Sequence, residues 1–197
     1  MDRRRRVATE GRVILEHWGA TGDEISGPMP GDDLVTDPML VATRSITLDA
    51  SPDDVFPWLR QMGFGRAGWY SYDWLDNLGR RSATRVHPEW QDVNAGDAIP
   101  GGPIDFTAVT VEPPHALVLA LVNARIAFTL AYRLDPVSRA DRTRVVTRVR
   151  SRIDVPGGSA MARRLLGPGD GIMLRKQLLT LSRRAATPQA GPSRIER

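Results

Sequence analysis

The segment Ser45–Leu59 reads SITLDASPDDVFPWL and joins a predicted strand to a predicted helix. Ile46 and Leu48 alternate with polar neighbours, as in a strand with one buried face. Ser51 supplies an N-cap, and a proline follows at the first helical position, where its missing N–H is tolerated. The pattern predicts a strand over Val41–Asp49 and a helix directly after it.

The predicted helix has an apolar stripe and an interior proline. The stripe consists of Val55, Trp58, Leu59 and Met62. Pro57 removes a helical donor and clashes with the preceding turn, so we expect a kink or an irregular turn there. A second short helix is predicted over Tyr72–Leu78, with Ser71 as its cap and Gly79 at its end.

The rest of the chain predicts an antiparallel sheet and a closing helical region. Four strand-like runs are separated by short turns: Phe106–Glu112, Ala116–Val122, Ile126–Asp135 and Thr143–Asp154. In the last run Val145 and Val149 alternate with arginines, which predicts one buried face and one face in water. Two helical segments follow, the first ending at Leu166 and the second over Asp170–Ala186, separated by a Gly-Pro-Gly break. The second has an apolar stripe that includes Leu174 and Leu178.

The order of these elements resembles the helix-grip fold. Ser45–Leu59 resembles the opening signature of the START and polyketide cyclase/dehydrase superfamily (SRPBCC). Trp69–Asn77, Pro88–Gln91 and Gly96-Asp97 resemble a bacterial subgroup of it. The resemblance covers about residues 30–187. It implies an α+β fold in which a curved antiparallel sheet wraps a long C-terminal helix, with two short helices after the first strand and a cavity between sheet and helix.

Length and composition set the domain organisation. We interpret the 197 residues as an N-terminal arm, partly extended, over residues 1–38, one domain over 39–187 and a flexible tail over 188–197. The absence of cysteine excludes a disulfide framework and cysteine-ligated metals. No apolar run has membrane-spanning length, and no apolar segment of a secretory signal follows the first charges, so we expect a cytoplasmic protein.

The charge pattern argues against specific nucleic-acid binding. The net charge of +4 lies outside Val13–Ala186, in 7 arginines against 3 acids. Inside that range, residues 13–112 carry 6 basic and 16 acidic residues, and residues 113–186 carry 14 and 4. We expect the two halves to attract each other, and the acidic arm to dock on the arginines of Thr143–Asp154. Arg3–Arg6 can give weak contact with an anionic surface.

The segment Trp69–Gln91 holds five of the twelve aromatic residues, interleaved with ionisable groups. Such side chains suit the wall of a pocket, although buried core is an equally good reading of each aromatic residue. The expected ligand-binding residues are Trp69, Tyr70, Tyr72, Trp74, Arg85, His87, Trp90, Phe106, Phe128, Tyr132, Leu174 and Leu178.

Three functions fit this sequence. The first is a carrier or sensor that holds a small hydrophobic molecule, lipid-like or aromatic and polyketide-like, in an internal cavity. The second is a cofactor-independent cyclase or dehydratase in which His87, Asp73 or Tyr72 moves a proton. The third is a protein-interaction module that uses the charged faces. No metal-ligand spacing is evident, no cofactor is implied, and the oligomeric state is left open.

Overall fold

A six-stranded antiparallel sheet dominates the computed structural model, which describes residues 16–137, 141–154 and 158–187. The strands are β1 (Leu40–Leu48), β2 (Ala98–Ile99), β3 (Phe106–Glu112), β4 (Ala116–Val122), β5 (Ile126–Pro136) and β6 (Thr143–Ile153). They lie in the order β1-β6-β5-β4-β3-β2, so the first strand pairs with the last. Five strands match the predicted runs to within one residue at each end. The two-residue β2 is too short to give a periodic signal.

The inner face of the sheet follows from strand alternation. Leu119, Leu130, Val149 and Ala42 are cross-strand neighbours on β4, β5, β6 and β1, and all four are buried. The arginines of β6 point to the opposite, outer face, as the alternation predicts.

The helix after β1, α2, spans Pro52–Arg60 and starts as predicted. The Ser51 hydroxyl accepts from the backbone N–H of Asp54 at 3.2 Å. The helix continues through Pro57, so the expected irregular turn is wrong, and the alternative expectation of a kink stays a prediction. One proline removes a single helical hydrogen bond, and the burial of Phe56 and Trp58 on either side of Pro57 offsets the loss.

The next helix, α3, is shorter than predicted, at Asp73–Asp76. Ser71 does not cap it, because its hydroxyl donates to the Met173 carbonyl of the last helix at 3.1 Å. Gly79 closes the turn as predicted, with a positive φ of 79° and a hydrogen bond from its N–H to the Asp73 carbonyl at 2.7 Å.

The last helix, α4, runs without interruption over Gly158–Ala185, so the predicted break at Gly-Pro-Gly is wrong. A proline inside a long helix removes one donor, and the turns on either side remain bonded. The predicted stripe is buried: Leu174, Leu178 and Leu181 pack against β1, β6 and α2. A curved antiparallel sheet packed around this helix makes the chain an α+β helix-grip fold, as expected from the sequence.

The segment 16–38 lies against the outer face of the sheet and contains a short helix, α1 (Gly22–Ser26), and a 3₁₀ turn at Asp32–Leu34. Glu24 pairs with Arg144 at 2.7 Å, and Asp32 pairs with Arg148 at 2.6 Å. The arginine face is therefore covered by acidic residues, and the expectation that it faces water is wrong. The docking predicted from the charge pattern is present in these contacts.

The start of this segment also reaches the free edge of β1. The backbone N–H of Ser45 donates to the Trp18 carbonyl at 3.0 Å. Arg3–Arg6 and the tail 188–197 lie outside the described residues. The domain boundaries stay predictions.

Candidate functional site

An apolar cleft of about 340 Å³ opens on the inner face of the sheet, at the end that carries the β4–β5 turn. Its lining residues are Gly101, Pro103, Ile104, Phe106, Leu121, Ile126, Phe128, Ser151 and Ile153. Ser151 contributes the single polar side chain of this set. The wall is therefore almost wholly apolar, and its volume lies at the lower end of the range for small-molecule sites.

Strand register builds the floor of this cleft. Leu121 pairs with Phe128, Phe128 with Ser151, and Ile126 with Ile153. Because side chains alternate along a strand, these residues all face the same side of the sheet. The floor is thus fixed by regular backbone, which holds its side chains more rigidly than a loop does.

The loop 101–105 forms the remaining wall. A Cβ on Gly101 would lie 2.2 Å from the Ile104 carbonyl oxygen, so glycine permits the loop to fold back on itself. Ile104 stays 51% exposed at the rim. An exposed isoleucine beside an apolar cleft marks a surface suited to an apolar ligand.

Three aromatic rings connect the cleft to the core. Trp69 packs edge-on against Phe106 with ring centroids 5.7 Å apart, and Phe106 lies 5.8 Å from Phe128. Trp69 is buried, whereas both phenylalanines are half-buried where they line the cleft. The structure thus brings together these three of the predicted ligand-binding residues.

The other aromatic residues of Trp69–Gln91 lie elsewhere. Tyr70 is fully buried and packs edge-on against Trp58 at 5.9 Å. Its hydroxyl donates to the Trp58 carbonyl at 3.1 Å, and burial raises the pKa of Tyr70 well above its usual range. Trp74 is 72% exposed on α3. Tyr72 and Trp90 are half-buried.

Tyr132, Leu174 and Leu178 lie in the packed core between the sheet and α4. The Tyr132 hydroxyl donates to Gln177 Oε1 at 2.6 Å, and Gln177 Nε2 donates to the Trp69 carbonyl at 2.8 Å. Side chains thus fill the space between the sheet and α4 beside Trp69–Gln91, where a cavity was expected. The open apolar volume is displaced toward Phe106 and Phe128.

His87 belongs to a separate surface group. Its Nδ1 lies 3.0 Å from Glu89 Oε1, and its ring centroid lies 4.5 Å from that of Trp90. The backbone N–H of His87 donates to Gln61 Oε1 at 2.9 Å. His87 and the exposed Arg85 do not line the apolar cleft.

Asp73 is engaged in a hydrogen bond at the start of α3. It accepts from the hydroxyl of Ser82, and this serine also accepts from the backbone N–H of Tyr70 at 3.3 Å. Asp76, one turn later, has its carboxylate oxygens buried without a hydrogen-bond partner among the described residues. Burial, and then the charge of Asp73, raise the pKa of Asp76 to about 6.

Sequence reasoning missed a polar row inside the fold. Arg44, Thr147 and Tyr132 are cross-strand neighbours on β1, β6 and β5, and each has an exposed fraction of 0%. The alternation that places Ile46 and Leu48 inward also places Arg44 inward, so the signal was present. Gln177, one residue before the apolar Leu178, had no comparable signal.

Residues 16–137, 141–154 and 171–187 contain no group of three His, Asp or Glu side chains placed to hold a metal ion. None of the helices described there is both long and apolar enough to cross a membrane.

Comparison with known proteins gives structural matches of low identity. No protein-family model matches the chain, and no curated protein matches it. A crystal structure of a Rhodobacter sphaeroides protein matches at 15% identity over 75% of this chain and 93% of that one, with a TM-score of 0.48. The Polyketide_cyc-like protein of Corynebacterium glutamicum matches at 12% identity over 75% and 91%, with a TM-score of 0.39.

A third match is the di-domain ARO/CYC BexL from the BE-7585A biosynthetic pathway. It shares 16% identity over 79% of this chain and 53% of that chain, with a TM-score of 0.45. Strand order and the position of α4 define the helix-grip fold of this chain.

Proposed function

We propose that this protein binds a small hydrophobic molecule in the apolar cleft, as a carrier or sensor. The observation that carries the proposal is the lining: eight of nine residues are apolar or glycine, on a floor fixed by strand register. Removing apolar surface from water stabilises such a complex by about 25 cal/mol per Å². The chemical class is a lipid-like or aromatic, polyketide-like molecule.

The volume of the cleft limits the size of the ligand. About 340 Å³ suits a compact aromatic system or a short aliphatic chain. Phe106 and Phe128 offer faces for stacking or edge contacts with a ligand ring.

The lining favours binding over acid–base catalysis. Among the described residues that line it, there is no imidazole, carboxylate or amine, and none of them places a base beside the Ser151 hydroxyl. General acid–base catalysis needs a group within about 3 Å of the reacting proton. His87 and Asp73 make their contacts outside this cleft. We therefore expect His87→Ala and Asp73→Ala to leave the affinity for an apolar probe unchanged.

A matched pair of variants tests the proposal. The wild type is titrated with the neutral fluorescent probe Nile red, and the same titration is run on Ile104→Glu and Val122→Glu. Ile104 is 51% exposed at the cleft, and Val122 is 56% exposed but does not line it, so neither change disturbs the core. We expect Ile104→Glu to weaken binding by about tenfold or more, since a charge near apolar surface must be desolvated.

Val122→Glu is the control for Ile104→Glu. Val122→Glu is expected to bind Nile red like the wild type. Equal binding by all three proteins would place the probe elsewhere and overturn the proposal. Native mass spectrometry gives a second readout, in which wild-type protein retains an apolar small molecule that Ile104→Glu lacks.

A further inference from the structure

A second cleft, of about 360 Å³, lies between the start of α3 and the C-terminal part of α4. It shares no lining residue with the apolar cleft. Three cationic side chains of α4 line one side: Lys176, Arg183 and Arg184. The hydroxyl-bearing Ser71, Ser82 and Thr180 and the carboxylate of Asp73 complete the polar wall.

The cations of this cleft outnumber the carboxylates of its lining. Among the residues that the structure describes, none of the three forms a salt bridge with a carboxylate, and Arg183 donates to the Leu179 carbonyl of its own helix at 3.3 Å. The Asp73 carboxylate is the single negative charge of the lining and accepts from Ser82. The lining therefore has an excess of positive charge, which attracts an anion.

Arg184 is held in place before any ligand arrives. Its guanidinium carbon lies 4.9 Å from the centre of the Tyr70 ring, and one nitrogen donates to the Ser82 carbonyl at 3.4 Å. The other terminal nitrogen, Nη1, is buried without a hydrogen-bond partner within the described part of the chain. Desolvation lowers the pKa of Arg184, because burial disfavours its charged form.

The platform under Arg184 is rigid. The Tyr70 hydroxyl donates to the Trp58 carbonyl and accepts from Gln61 Nε2 at 2.7 Å. The backbone of Tyr70 has a positive φ of 59°, an uncommon conformation for a residue other than glycine, fixed in part by the bond from its N–H to Ser82. Preorganised donors lose little entropy on binding and so favour recognition.

We propose that this cleft binds a small oxyanion, a phosphate or carboxylate group, through Lys176, Arg183 and Arg184. A guanidinium presents paired N–H donors that match the geometry of these groups, and a lysine adds a mobile charge. The site is independent of the apolar cleft and of the hydrophobic ligand proposed for it.

Isothermal calorimetry with inorganic phosphate, and separately with acetate, tests the proposal at low ionic strength. We expect saturable binding of at least one of the two anions by the wild type. Lys176→Ala and Arg183→Ala are each expected to weaken it by about fivefold or more, because each removes one cation from the cleft. Lys176 is half-buried and Arg183 is exposed, so both variants keep the buried leucine stripe of α4.

Two further variants make the result specific. Arg125→Ala removes an exposed arginine in the β4–β5 turn and is expected to leave anion binding unchanged. Asp73→Asn removes the opposing charge and is expected to tighten binding about twofold or more. The absence of saturable binding for both anions, or an equal loss in Arg125→Ala, would overturn the proposal, the latter because it indicates attraction to net charge alone.

The source of a phosphate group is tested in separate arms. Glycerol 3-phosphate competing with inorganic phosphate indicates a soluble metabolite. Sedimentation with phosphatidylcholine vesicles that contain phosphatidic acid, lost in Lys176→Ala and Arg183→Ala, indicates a lipid headgroup. Nile red binding is measured on the same variants and is expected to stay unchanged, so failure at either cleft is distinguishable from failure at the other.

Discussion

Replacing Arg148 by methionine is the most direct test of how the N-terminal segment holds the sheet. Arg148 is only 3% exposed on the outer face of β6. Its guanidinium donates to Thr43 Oγ1, to the Asp32 carboxylate and to the carbonyls of Gly27, Glu24 and Ile25, at 2.6 to 3.0 Å. Methionine keeps the length of the apolar stem and removes all five donated bonds.

The expected magnitude follows from burial. If each of the five hydrogen bonds contributed about 0.5–1.5 kcal/mol, their sum would exceed the effect of most single substitutions. The simple sum is therefore an overestimate. Breaking a buried ion pair costs about 3–5 kcal/mol, because the partner charge stays behind. The Asp32 side chain is 25% exposed and retains its 3.5 Å contact with Arg150, which limits that penalty. We therefore expect Arg148→Met to lower the free energy of unfolding by about 3–4 kcal/mol.

Urea denaturation at pH 7 measures this difference. Arg142→Met is the matched control, because Arg142 pairs with Asp49 at 2.8 Å but their side chains are 43% and 80% exposed. Exposed pairs contribute less than about 1 kcal/mol. A loss in Arg148→Met no larger than that of the control would refute the claim that this arginine fastens residues 24–32 to the sheet.

Three further substitutions have defined outcomes. A hydrogen bond from Arg144 holds the pKa of Glu24 at about 2 instead of 4.5, so its ionised form stabilises the fold above about pH 4.5 and this contribution is lost as the pH falls toward 2. Because Glu24 is only partly buried, solvent screens the pair, and Glu24→Gln should lower the free energy of unfolding by about 1–2 kcal/mol at pH 7 and flatten its pH dependence between those values; an unchanged acid limb in urea titrations would contradict this. For Asp76, whose pKa is raised from 3.8 to about 6, stability falls as the pH rises through that window, so Asp76→Asn should gain about 1–2 kcal/mol at pH 7 and nothing at pH 3. Gly19→Ala should lower the thermal midpoint of unfolding more than Gly65→Ala. Both glycines have a positive φ, but only at Gly19 would an added Cβ meet the Ser45 carbonyl oxygen, at 2.2 Å. Equal shifts in the two variants would exclude this crowding.

Most of the fold was predictable because strand alternation and helix caps depend only on residues within one strand or helix. The alternation over Thr143–Asp154 fixed both the strand and its inward residues, and Ser51 with its following proline fixed the start of α2. The errors at Pro57 and at the Gly-Pro-Gly sequence have one cause. Whether a helix survives a proline depends on packing by distant parts of the chain, which a local pattern does not contain.

The candidate site was less predictable. Composition pointed to Trp69–Gln91, but an aromatic cluster has the same sequence signature whether it lines a pocket or fills a core. Trp69 and Tyr70 are buried and Trp74 is exposed. The cleft depends instead on cross-strand register between Leu121, Phe128 and Ser151, and the pattern within a single strand does not contain that register.

Each free edge of the sheet has a feature that hinders strand addition by another chain. Unpaired strand edges are templates for strand addition by other copies and so for aggregation. β2 offers only two residues at one edge, and at the other the Trp18 carbonyl occupies the Ser45 N–H of the nine-residue β1. The segment 16–38, which pairs with the arginines of β6, therefore also hinders strand addition at the β1 edge. We expect substitutions that detach this segment to lower the solubility of the protein before they change the apolar cleft.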